Sequence, residues 1–128
     1  SMQQDGKGKV DKYESEDGGK LLNIDVVVLV DTGSASASEI LAGALQETER
    51  AIVIGENTYG KGTAQNVIDL FNGSSLHITV YKWLLPSGEW LNKENPIVPD
   101  IVVELTNADF IQGEDPQLEE AIKQLNKM

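Results

Sequence analysis

Cysteine is absent from this 128-residue chain, and His77 is its one histidine. Without thiols there are no disulfides, no cysteine nucleophile and no thiolate metal site, and one imidazole cannot form a histidine cluster for zinc. Ser-His-Asp chemistry would have to use His77. That residue alternates with Leu76, Ile78 and Val80, the pattern of a strand, where a structural histidine is the more economical reading. Basic residues are also few, 10 Lys and Arg against 21 Asp and Glu, for a net charge of −11. Such a surface repels phosphate backbones and anionic membranes, so nucleic acid is not an expected partner. No apolar run approaches the 18 residues of a bilayer span, and no signal-peptide pattern is present. Hydroxyl, lysine and carboxylate groups are left as the catalytic candidates.

What is present suits one compact domain with one core, since 40% of the residues are hydrophobic. Residues 1–23 mix Gly, Lys, Asp and Glu, with Val10, Tyr13, Leu21 and Leu22 as apolar anchors, and read as a flexible lead-in or a polar hairpin. Residues 24–128 carry the structured pattern. The run Val26-Val27-Val28-Leu29-Val30 is continuous and β-branched, which predicts a central strand covered on both faces. Asp31-Thr32-Gly33 ends it, and from Glu39 onward Ile40, Leu41, Ala44 and Leu45 fall on one helical face. Residues 51–54 form a second buried strand, followed by a glycine-rich loop over 55–63, which completes a βαβ unit. Residues 66–70, 75–85 and 101–105 are strand-like, with Asn72-Gly73 as a hairpin turn. Asp115-Pro116 opens a closing helix whose apolar face uses Leu118, Ala121, Ile122 and Leu125. The class is therefore α/β, with a βαβ unit, a β-rich second half and a C-terminal helix.

Two stretches carry chemistry. A serine between a buried strand and a helix sits where free N–H groups and the positive end of the helix dipole converge, which suits a developing oxyanion. Ser36 is so placed, but Ser36 and Glu39 also have the spacing of a capping box, in which the serine only accepts a helix N–H. Lys61, between Gly60 and Gly62, follows the second strand and so lies at the same end of a parallel sheet as Ser36. A lysine acts as a general base when burial lowers its pKa from the ordinary ~10.4; a solvated turn lysine is the alternative. The loop Gly55-x4-Gly60-Lys61 also approaches a nucleotide-binding P-loop. It departs from that motif where Gly62 replaces Ser or Thr and where β-rich residues replace a helix. Trp83 and Trp90 read as core or groove-lining aromatics.

The stretch from Val26 through Leu70 resembles the catalytic core of the carboxy-terminal processing peptidases, or tail-specific proteases. In that family the nucleophile is the middle serine of a GSASASE-like segment, the base lies 25 residues later in an FGKG-like loop, and a glutamine four residues further orients the amine. The matching residues are Ser36, Lys61 in Tyr-Gly-Lys-Gly, and Gln65. The likeness continues through Leu85-Pro86-Ser87-Gly88 and Val98-Pro99-Asp100-Ile101-Val102. It singles out Ser36 over Ser34 and Ser38, and it implies a crotonase-like core, a Ser-Lys dyad, an oxyanion donor at the Ala37 N–H, polypeptide C-termini as substrates, no cofactor or metal, and an extracytoplasmic location. The family's acidic residue eleven positions after the serine corresponds to Glu47; three helical turns put it roughly 16 Å from Ser36 along the axis, so it reads as support or as surface charge. The family's PDZ module and its D-L-R-x-N-P-G-G segment, source of a second oxyanion donor, are not in these residues. Loss of one such donor costs about 100- to 1,000-fold in rate, so low activity of this piece alone is expected. A non-catalytic interaction or assembly fragment is the reading from another class, and the sequence leaves a homo-oligomer open.

Overall fold

A computed structural model describes all residues from 1 to 128. Its elements in chain order are β1 (Met2–Asp5), β2 (Val10–Lys12), β3 (Val27–Val30), α1 (Ala37–Glu47), β4 (Ile52–Gly55), β5 (Thr63–Asp69), β6 (Ser75–Leu84), β7 (Ile101–Val102), α2 (Asn107–Gln112) and α3 (Pro116–Leu125). Strands β3, β4 and β7 make a parallel sheet in that order, and β2, β1, β6 and β5 make an antiparallel one. The arrangement is mixed α/β, with the expected βαβ unit at β3-α1-β4.

The core sits between α1 and the parallel sheet, where Val30, Ala42, Val53, Leu85, Leu91 and Ile97 pack together with Val28 and Ile40 against them. The segment that follows β6 thus closes the core over α1. Helix α3 lies against β3 and β4, buries Ala121, and donates from Gln117 Nε2 to the Val103 carbonyl at 2.9 Å. Leu118, Ile122 and Leu125 of the same helix stay substantially exposed, so the expected apolar face is only partly covered.

Two expectations change, and one element was not foreseen. The strand at 27–30 is an edge strand, and the centre belongs to β4, whose Val53 and Ile54 are fully buried while Leu29 is exposed. An apolar run reports covered faces; it carries no information about which neighbours bond to the strand's edges. The strand-like run at 101–105 shrinks to two paired residues, because only Ile101 and Val102 find partners, on Ile54 and Gly55. Helix α2 was not legible, since it is six residues long and leaves Phe110 and Ile111 exposed, with no buried stripe to generate a period.

Residues 1–23 contain the β1–β2 hairpin, in which Asp5 Oδ1 accepts from the N–H groups of Lys7 and Lys9 across the turn. Strand β1 then pairs with the end of β6, Met2 opposite Leu84 through Asp5 opposite Tyr81. The Asn72-Gly73 turn joins β5 to β6 as expected, and β5 forms the outer edge of the antiparallel sheet.

Candidate active site

The turn after β3 treats its three serines differently. Ser34 Oγ donates to Asp31 Oδ1 at 2.9 Å and accepts from the Asp31 N–H at 3.1 Å. Ser38 Oγ donates to the Ala35 carbonyl at 2.7 Å and accepts from the Ala35 N–H at 3.0 Å. Ser36 has the geometry of neither: its φ of 59° and ψ of −116° belong to the turn region that glycine normally occupies, and its hydroxyl makes no hydrogen bond within the helix cap. Holding a serine there costs on the order of 1–3 kcal/mol, so the surrounding contacts must impose it. Residue types and placement make Ser36 and Glu39 a capping box, yet the hydrogen bond runs one way, from the Ser36 N–H to Glu39 Oε2 at 2.8 Å. The Ser36 hydroxyl is thus free for other work, and the Ala37 N–H beside it, in the first turn of α1, has no acceptor in the chain.

The lysine loop is fixed by its backbone. A Cβ on Gly60 would lie 2.5 Å from the Asn92 carbonyl oxygen, and one on Gly62 would lie 1.8 Å from that of Leu91. Both positions therefore need glycine for the loop to press against residues 91–92. The Gly62 carbonyl accepts from the Trp83 N–H at 2.9 Å and from the Trp90 indole N–H at 3.1 Å. Neither tryptophan belongs to the buried core; Trp90 is a brace for the loop and is itself covered by Lys82, whose amine is 4.1 Å from the ring centroid. Between the two glycines the Lys61 side chain is exposed, with no ion pair or hydrogen bond of its own, so the burial expected of a lysine base is not met within this chain and the side chain has the setting of a solvated turn lysine.

Glu39 joins the two loops. Its side chain is 0% exposed, and its two oxygens accept four hydrogen bonds. Oε1 takes the Thr58 hydroxyl at 2.5 Å and the Gly60 N–H at 2.7 Å; Oε2 takes the Ser36 N–H at 2.8 Å and the Lys61 N–H at 2.9 Å. Two bonds of 2.8 and 2.9 Å to one oxygen hold the backbone nitrogens of Ser36 and Lys61 within 5.7 Å of each other. The Tyr59 N–H adds a direct bond to the Ser34 carbonyl at 2.9 Å. Sequence reasoning saw the Ser-x-x-Glu spacing but missed this role, because a cap and a buried bridge look alike in sequence and only burial separates them.

The remaining candidates take other positions. Gln65 donates to Thr79 Oγ1 at 3.3 Å across the β5–β6 pair and shares no hydrogen bond with Lys61. Glu47 accepts the N–H and hydroxyl of Ser87 at 2.7 and 2.8 Å, so it supports the Pro86-Ser87-Gly88 turn and is distant from the serine. His77 is exposed on β6 and bonds Ser75 Oγ at 3.1 Å, away from both loops. After Gly62 the chain enters strand β5, so the loop lacks the helix that a P-loop requires. A groove of about 860 Å³ between α1 and the segment bearing Tyr13, Leu21 and Leu22 includes neither Ser36 nor Lys61. The candidate site is an open surface at the C-terminal ends of β3 and β4.

Comparison with known proteins bears on the family and the fold. A family model described as peptidase family S41 matches residues 1–103. The chain is 44% identical over 98 residues to carboxy-terminal processing protease CtpB of Bacillus subtilis (strain 168), a match that covers 77% of this chain and 20% of that protein. Among solved structures, the photosystem II D1 C-terminal processing protease superposes with a TM-score of 0.70 at 39% identity, covering 80% of this chain and 26% of the other. A lipoprotein from Streptococcus agalactiae, at 17% identity, shares the fold alone over 98% of this chain and 44% of its own, with a TM-score of 0.74. The chain spans about a fifth of the length of the curated relatives it matches. With the family model matching residues 1–103, most of its length, this chain belongs to peptidase family S41.

Proposed function

We propose that these residues form the catalytic core of a serine-type endopeptidase that cuts near polypeptide C-termini, within a longer protein that has a crotonase-like core and carries a PDZ module. The observation that carries this reading is the shared Glu39 oxygen, which holds the backbones of Ser36 and Lys61 together while leaving both side chains free. In this reading Lys61 is the general base that takes the proton of Ser36, whose oxygen attacks the scissile carbonyl. The Ala37 N–H faces the developing oxyanion, the protonated Lys61 hands its proton to the leaving amine, and water attacks the acyl-enzyme with Lys61 as base again. Gln65, four residues past Lys61, orients the amine once its side chain leaves Thr79. Glu47 supports from the far end of α1.

Strand β5 begins two residues after Lys61, and one of its edges carries no neighbouring strand. Leu70 bonds to Ser74 across the hairpin, so by antiparallel alternation Val67 and Asp69 turn their N–H and carbonyl groups outward. An extended substrate adds to that edge as a further strand and runs toward the serine. The test is cleavage of an unstructured peptide with an apolar C-terminus by the full-length protein and its Ser36→Ala and Lys61→Ala variants. Loss of cleavage in both supports the dyad; parental activity in either overturns it. The 128-residue piece alone is expected to cleave about 100- to 1,000-fold more slowly than the full-length protein, because one oxyanion donor is missing.

A further inference from the structure

Glu39 is a larger investment than a helix cap needs. A capping glutamate works from the surface with one hydrogen bond back to the N-cap N–H. Here the carboxylate is fully buried, where its desolvation costs several kcal/mol unless hydrogen bonds offset it. No basic side chain pairs with it; its four donors are the neutral groups of Ser36, Thr58, Gly60 and Lys61. Thr58 is anchored in turn, because its hydroxyl accepts from the Ile97 N–H at 3.0 Å and its own N–H reaches the Ile97 carbonyl at 3.1 Å. Two segments, the serine turn and residues 58–61, therefore meet on the two oxygens, and a third, at Ile97, is tied to them through Thr58. Of these contacts, the bond from the Ser36 N–H acts directly on the residue held at φ 59°.

We propose that Glu39 is the positioning residue of this site. It holds Ser36 in its strained turn and sets the distance between the serine and lysine loops through a common oxygen. The inference rests on the Ser36–Lys61 reading, since without that pair there is nothing to position. It makes a prediction about rank that charge alone would reverse. In Glu39→Gln the amide oxygen can occupy the Oε2 place and keep both the Ser36 and Lys61 N–H groups. The amide NH2 then meets Thr58, which can turn to accept, and the Gly60 N–H, which cannot. In Glu39→Asp the charge survives, but the side chain is one methylene too short to reach both loops at once. The order of activity is therefore Glu, then Gln, then Asp and Ala together.

The experiment compares kcat and KM across pH for Glu39→Gln, Glu39→Asp and Glu39→Ala in the full-length protein, normalised to the folded fraction by near-UV circular dichroism. Glu39→Gln should lose about tenfold in kcat, the equivalent of one unsatisfied contact. Glu39→Asp should lose on the order of 100-fold with KM near parental and the acid limb of the pH profile, on which activity rises as the base loses its proton, displaced, as expected when a base is held about 1 Å out of place. Should Glu39→Ala fail to fold, Glu39→Gln against Glu39→Asp decides alone. Parental kcat per folded molecule in both, with an unchanged pH profile, would reduce Glu39 to a fold-stabilising group and overturn the proposal, as would Asp outperforming Gln. Ser36→Ala and Lys61→Ala in the same series keep the two ideas apart, because activity surviving in those variants refutes the dyad whatever Glu39 does.

Discussion

Glu47 and Ser87, forty residues apart, are joined by two hydrogen bonds, the Ser87 N–H and hydroxyl each meeting one oxygen of the Glu47 carboxylate. The contact ties the last residue of α1 to the turn after β6. That turn is closed by mutual bonds between residues 85 and 88–89 and leads into Trp90 and Leu91, which bear on the lysine loop at Gly62. A route of direct contacts thus runs from the far end of the helix to the lysine loop.

Glu47→Gln and Ser87→Ala should each lower stability by about 1 kcal/mol, the usual scale for an exposed, charge-assisted contact. The double variant should cost less than the sum of the singles, because both remove the same interaction. Urea titration of the four proteins gives the coupling, and strict additivity would mean that the contact contributes nothing.

The three serines of the turn should separate cleanly with a fluorophosphonate probe. Ser34 and Ser38 spend their hydroxyls on Asp31 and Ala35, whereas the Ser36 hydroxyl is uncommitted. Covalent labelling of the full-length protein should persist in Ser38→Ala, fall no more than several-fold in Ser34→Ala, and vanish in Ser36→Ala. Labelling retained in Ser36→Ala would assign the nucleophile elsewhere.

Much of the site was legible in the sequence because it is written as spacing. The 25-position interval from Ser36 to Lys61 and the βαβ reading already put both at one end of a parallel sheet, as found in β3-α1-β4. What escaped was the set of contacts that depend on burial and on distant chain segments. Glu39 looks like a cap until Thr58, Gly60 and Lys61 close over it, and Glu47 looks like surface charge until Ser87 arrives from the turn after β6. The edge position of β3 was invisible for the same reason, since residues 27–30 determine what covers the strand's faces and other strands determine what pairs with it. Gln65 shows the converse: its position four residues past the lysine does not fix its rotamer, which here follows Thr79.

Gly62→Ala should disable the lysine loop. The added methyl would overlap the Leu91 carbonyl oxygen, a backbone atom with no freedom to rotate away, so the loop must retreat and carry Lys61 with it. The expected result is a loss on the order of 100-fold in kcat with the fold retained, from displacement of the base by about 1 Å. Peptide cleavage together with a thermal melt checks it, and unimpaired cleavage would show that the loop can adjust without moving the lysine.

A final prediction concerns pH and lies away from the site, at α2. Its N-cap Thr106 and Asp109 form a reciprocal box, and the Asp109 carboxyl is held below its ordinary range first by the Thr106 hydroxyl, at 2.6 Å, and then by the Thr106 N–H, at 2.8 Å. A carboxylate lowered in the folded state contributes its stabilisation fully above the unfolded value and loses it as pH falls through the folded value. The amides that close α2, at Phe110, Gly113 and Glu114, should therefore lose exchange protection as the solution is acidified below the normal aspartate range. Helix α3, capped by Asp115 through the Leu118 N–H, is the internal reference, because its packing on β3 and β4 keeps it closed when α2 frays. Asp109→Asn should remove the differential between the helices. If α2 and α3 lose protection in parallel in the parent protein, the Thr106–Asp109 box does not govern the helix.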